Sequence, residues 1–146
     1  MMLAEIRDRL LAKLTDPRWA GVEIAEDLDA LAYSAGQVLS GTAIVMLWRE
    51  GASPQDLATG GFRQTVEVQF VASFVIREYD GLMGADRALQ FDAYKTDLEQ
   101  ALAGWEPPSG NSECELIGGE SSPIETGVSI YVETWKTTRF LTGEAT

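Results

Sequence analysis

Val66, Val68, Phe70, Ala72, Phe74 and Ile76 fall at every second position, while Thr65, Glu67, Gln69 and Ser73 take most of the places between them. Only an extended chain turns alternate side chains to opposite sides, so this pattern predicts a strand over 65–77 with one buried face. Val71 and Val75 break the polar series near its end, which predicts that both faces are covered there. The run is longer than most strands, so it is expected to twist, to bulge or to reach beyond the domain.

A second apolar run, 42–48, contains the β-branched Ile44 and Val45 and predicts a buried, central strand. Val128, Ile130 and Val132 alternate with Ser129, Tyr131 and Glu133, giving a last strand to about Thr138 and a frayed tail from Leu141. Residues 113–117 form a shorter candidate. Val22 and Ile24 lead into Glu26, Asp27 and Asp29, a pattern that predicts a short edge strand entering a turn or a single helical turn.

Leu3, Ile6, Leu10 and Leu14 follow offsets of three, four and four, which is one face of a helix over 2–14, and Pro17 stops it. After a turn at Gly81 to Gly84, Asp86 is the expected N-cap of a second helix running to about Ala103. Leu89, Ala93, Leu98, Ala101 and Leu102 make its apolar stripe, and Gly104 and Pro107 end it. Trp105 is expected to fold back as a core anchor. Glycine, serine and proline mark two long loops, 51–61 and 118–127. The order predicts a single α+β domain, with an antiparallel or mixed sheet of four to five strands and both main helices on one face.

With 146 residues, 45% of them apolar and 23% charged, the chain has the size and composition of one globular domain. The longest apolar run, 43–48, is far short of the roughly 20 residues that cross a bilayer. Glu5, Arg7, Asp8 and Arg9 interrupt any signal-peptide core, so the chain is expected in the cytoplasm where it is made. The formal charge of −12, from 11 Lys and Arg against 23 Asp and Glu, repels phosphate backbones and argues against direct DNA binding.

Catalytic chemistry has little to work with. There is no histidine and only one cysteine, Cys114, which removes Ser–His–Asp and Cys–His arrangements and the usual structural zinc sites. No phosphate-binding glycine loop with a following Lys–Ser or Lys–Thr is present. Asp56 with Glu67 and Gln69 loosely resembles an acidic nuclease motif, but the trailing lysine is missing and Glu67 fits the solvent face of its strand. Glu26, Asp27 and Asp29 lack the spacing of a calcium loop and suit a solvated acidic turn. The reading is therefore no catalytic residue, no cofactor and no metal. Trp48, Trp105 and Trp135 are aromatic enough to wall a pocket. Trp48 and Trp135 lie where strand alternation ends, which makes them candidates for an interface on the sheet.

Four stretches in order, LAEIRDRL at 3–10, RQTVEVQF at 63–70, ALAGWEPP at 101–108 and YVETW at 131–135, resemble the tail-terminator proteins of long-tailed bacteriophages and prophages. The resemblance covers nearly the whole chain. It implies a structural virion protein: a hexameric ring that caps the head-proximal end of the tail tube, ends tube polymerisation and joins tail to neck and head. The implied partners are further copies of the chain, the tail tube protein and a neck or head-completion protein. DNA would pass an acidic lumen without specific binding, and no membrane would be involved. The long strand, with unpaired edges, would supply contacts between neighbours. The two loops would reach tube and neck, with Leu57, Phe62 and Ile124 as their apolar contact residues, joined by Trp48 and Trp135. Another neck or tail-completion protein, or a cytoplasmic binding module unrelated to phage, would share the same size and charge.

Overall fold

The computed structural model of the protein describes residues 2–55, 57, 60–77, 84–125 and 127–143; the side chains of residues 84–87 and 123–125 lie outside that description. Among the described residues eight elements follow one another: α1 (Met2–Lys13), β1 (Gly21–Ile24), α2 (Leu28–Ala35), β2 (Thr42–Ala52), β3 (Phe62–Arg77), α3 (Gly84–Leu102), β4 (Glu115–Glu125) and β5 (Val128–Gly143). All five strands join one sheet in the order β1-β2-β3-β5-β4. β1 runs parallel to β2 and every other neighbour is antiparallel, so the sheet is mixed and the fold is α+β.

The alternation along β3 determines both faces. Val66, Val68, Phe70, Ala72, Phe74 and Ile76 are buried against α1 (Met2, Ile6, Leu10) and α3 (Tyr94, Leu98, Ala101, Leu102). Phe74 is the centre of an aromatic cluster, with ring centroids 5.3 Å from Tyr94, 5.4 Å from Tyr131, 5.5 Å from Phe91 and 6.0 Å from Trp19. Val71 and Val75 face the other way and are buried as well, beneath Leu31 and Ala35 of α2. The two valines in the polar series thus mark a second, smaller core.

Helix α2 is the element that the sequence reading shortened to a turn. Asp27 has an extended backbone and its carboxylate accepts from the Ala30 N–H at 2.8 Å, which makes it the N-cap. At the other end Arg77 donates to the Val38 and Gly36 carbonyls, both at 2.7 Å, placing a cation on the negative end of the helix.

Other expectations are corrected by pairing. Residues 118–125 are not a loop: they extend β4 along β5 as far as the pairing of Glu125 with Val128, and residue 126 of the expected loop lies outside the described residues. Residues 141–143 of the expected frayed tail are not frayed, because Leu141, Thr142 and Gly143 pair with Gln64, Arg63 and Phe62, and residues 144–146 lie outside the described residues. α3 begins at Gly84, two residues before the expected cap at Asp86, and residues 81–83 of the expected turn are outside the described residues. Leu89 is 70% exposed, and Tyr94 takes the core place assigned to it. Trp105 is half-buried on the main core, with the Arg9 guanidinium 5.4 Å above its ring.

Glycine is required at one crossing point. Gly41 has φ +86°, and a Cβ there would lie 2.2 Å from the Arg18 carbonyl oxygen and 3.0 Å from the Tyr94 hydroxyl. Its N–H donates to Val75 and its carbonyl accepts from Ala20, so the chain entering β2 is locked between the β1 approach and β3.

Candidate interaction surface

Neither edge of β3 is free along most of its length, since β2 and β5 hold it on either side. The exposed edges belong to β1, four residues long, and to β4, eleven residues long. β4 carries Leu116 and Ile117 at 45% and 49% exposure, beside a register shift between Leu116 and Gly118. Glu115 and Glu120 stand on the same strand, and such charges on an open edge discourage indiscriminate strand pairing.

Beyond the helices, the far ends of β2, β3 and β5 continue as a projecting sheet end. Phe62, Phe140 and Leu141 are exposed there, and the Arg63 guanidinium lies 4.8 Å over the Phe140 ring. Arg139 donates twice to the Glu50 carboxylate, at 2.9 and 3.1 Å, and Arg49 donates to Gln69 at 2.9 Å. Residues 49–52, 62–69 and 136–143 hold Arg49, Arg63, Lys136 and Arg139 with Glu50 and Glu67, and Glu115 of β4 lies 3.8 Å from Lys136. This end therefore combines exposed aromatic side chains with ion pairs of both signs.

The lateral side by β1 presents a groove. β2 shifts register between Leu47 and Arg49, which leaves Trp48 as the extra residue of a bulge and pushes it to 41% exposure. A groove of about 450 Å³ opens between this bulge and the start of α2, lined by Glu26, Asp27, Leu28, Asp29, Met46 and Trp48. No Lys or Arg occurs from Trp19 to Trp48, so nothing in this segment offsets the carboxylates.

The structure sorts the five candidate contact residues into four places. Phe62 opens the projecting end at 38% exposure, and Leu57 is half-buried in the connection that leads to it. Trp48 walls the groove. Ile124 lies on β4, next to the pairing of Glu125 with Val128 and at the opposite end of the sheet from Phe62, and its side chain is outside the described residues. Trp135 is 1% exposed in the main core, where its indole N–H donates to Glu133 at 3.3 Å, so it is a packing residue and not a surface contact. The sequence reading ends the last strand near Thr138 and expects a frayed tail from Leu141, which leaves Arg139 and Phe140 without a place although the structure carries β5 through both.

The chemistry of the remaining groups is muted. The Cys114 thiol is 2% exposed, and burial pushes its pKa up to about 12, so it stays protonated and unreactive. Glu67 accepts from Gln69 on the same strand at 3.1 Å, a surface polar ladder; Asp56, the other member of the nuclease-like set, is outside the described residues. Among the described residues no three acidic or cysteine side chains cluster tightly enough to hold a metal ion, and no helix is long and apolar enough to cross a membrane.

A projecting end, a long open edge and an acidic lateral groove are the surfaces that the fold leaves uncovered. The family model for phage tail terminator proteins matches residues 1–145, and the chain belongs to that family. A comparison with curated proteins finds no match. The family is structural, and membership makes the chain a tail-completion component of a phage virion.

Proposed function

We propose that the protein forms a ring, of six copies, that caps the head-proximal end of the tail tube, stops its polymerisation and docks to the neck or head-completion protein above it. Assembly takes place in the host cytoplasm before the ring becomes part of the virion tail. The family match over 1–145 carries this reading, and the two ends of the sheet support it. Leu57 and Phe62 lie toward one end and the β4–β5 turn lies at the other, so a subunit in a ring has separate surfaces for tube and neck. The acidic surface suits a lumen that DNA traverses without binding, because like charge keeps phosphates from adhering.

Light scattering across protein concentration, with and without tail tubes, tests the proposal. The expected result is a mass near six copies, or a monomer converted to that mass when tubes are added, with tube growth arrested. A strict monomer that leaves tube growth unchanged overturns the ring.

A further inference from the structure

On the β1 side the sheet edge is stepped. β1 flanks β2 only from Thr42 to Val45, and the Ala25 N–H, donating to the Val45 carbonyl at 2.9 Å, makes the last rung before the chain leaves the sheet for α2. β2 continues to Ala52, and all six residues from Leu47 to Ala52 are exposed. Among the described residues their backbone bonds run to β3 alone, so the outer N–H and C=O groups of this stretch, roughly 20 Å long, are left without a backbone partner. The row that β1 begins is vacant beyond Val45, and the groove at Trp48 lies along it.

The two sides of that row differ. Ile24 and Leu47, each 39% exposed, stand on the helix side with Val45 and Phe70. The α2 side has exposed Trp48 and Leu28 together with Glu23, Glu26 and Asp29. Glu26 and Asp29 make no hydrogen bond or ion pair among the described residues, whereas Asp27 caps α2. Further along β2, Arg49 is engaged with Gln69 and Glu50 with Arg139. A strand laid in this row turns alternate side chains to the two sides. It fits best when apolar residues alternate with Lys or Arg, whose stems cover the indole while their charges meet the carboxylates.

We infer that an extended segment of another tail protein, alternating apolar with basic residues, adds to β2 beside Leu47–Ala52 and completes the row begun by β1. This deepens the tail-completion reading by giving the chemistry of one partner. A second copy is a poor source of such a strand, since the other open edge, β4, bears Glu115, Glu120 and Glu125 and no Lys or Arg, and β5 is paired on both sides.

Three ten-residue peptides, titrated into the full chain at low and moderate salt, test the site: one alternating valine with lysine, one with glutamate in place of lysine, and the lysine peptide with a central proline. Calorimetry reads the affinity and hydrogen exchange reads the place. The lysine peptide is expected to bind at least about tenfold tighter than the other two, to slow exchange at 47–52 and to weaken with salt. Asp29→Lys and Trp48→Ala, each with native circular dichroism, should weaken it at least about tenfold. No binding of any peptide up to about 1 mM, equal binding of the lysine and glutamate peptides, full affinity in both variants, or binding that leaves exchange at 47–52 unchanged overturns the strand site. A monomer suffices for all of these readouts, so a failed peptide leaves the ring reading standing, and a strict monomer that binds the peptide overturns the ring alone.

Discussion

Glu133 is a fully buried carboxyl on β5, set between Ala72 of β3 and Gly119 of β4, with Lys95 and Glu99 of α3 and Tyr131 of its own strand as the titratable groups around it. Its Oε1 accepts from the Trp135 indole, while its Oε2 and the Oε2 of Glu99 are both buried without a hydrogen-bond partner. A proton on Glu133 lets its carboxyl donate toward Glu99, whose Oε2 also has the Lys95 ammonium 3.9 Å away. Burial first, and the Glu99 carboxylate second, push the Glu133 pKa up to about 8. Between roughly pH 4.5 and 8 the folded chain therefore keeps a proton that the unfolded chain releases, and stability falls as pH rises through that window. Glu133→Gln keeps a neutral donor for Glu99 and removes the linkage. It should melt with the original protein near pH 5 and above it near pH 8, by about 1–3 kcal/mol or a few degrees in Tm. Parallel melting curves for the two proteins from pH 5 to pH 8 would show that Glu133 is ionised in the fold.

At the scale of elements, β3 was the most legible part of the chain because period two is unambiguous over eleven residues and each break in it had a physical cause. Val68 tests the assignment of faces. It is 1% exposed under α1 and α3, so Val68→Asp puts an unpaired charge where no cation can reach it. The cost is several kcal/mol against a total stability on the order of 5–15, and soluble expression should be lost. A soluble variant with native circular dichroism would mean that the odd positions face the helices instead. The elements that escaped the sequence reading are those whose formation depends on distant partners. α2 had a usable local signature in the Asp27 cap followed by Leu28, Leu31 and Ala35, but its eight residues are too few to be stable without Arg77 and the second core. β4 from 118 to 125 is glycine-, serine- and glutamate-rich, a composition that predicts a loop, and it is extended only because β5 lies beside it. The tail at 141–143 is ordered for the same reason by β3.

At the scale of the whole molecule, surface residues were legible by type and not by location. Trp48 and Trp135 look alike in sequence. The bulge lifts Trp48 out of the sheet, whereas the regular pairing of Trp135 with Phe70 carries it into the core. The function of the assembled particle should depend on the surface that the sheet projects, and Leu57 tests this because it joins β2 to β3 at that end without lying in the main core. Leu57→Lys removes an apolar contact and adds a hydrated charge. A half-buried connection tolerates the change at a cost of about 1 kcal/mol or less, so the subunit should fold and be made in normal amounts. If this end of the sheet meets the tube, a charge there desolvates poorly at the contact and termination becomes inefficient. Phage carrying the variant should then show tails of abnormal length by electron microscopy, with reduced infectivity. Tails of normal length and full infectivity would place the tube contact elsewhere, and the β4–β5 turn at the opposite end of the sheet would become the surface to mutate next.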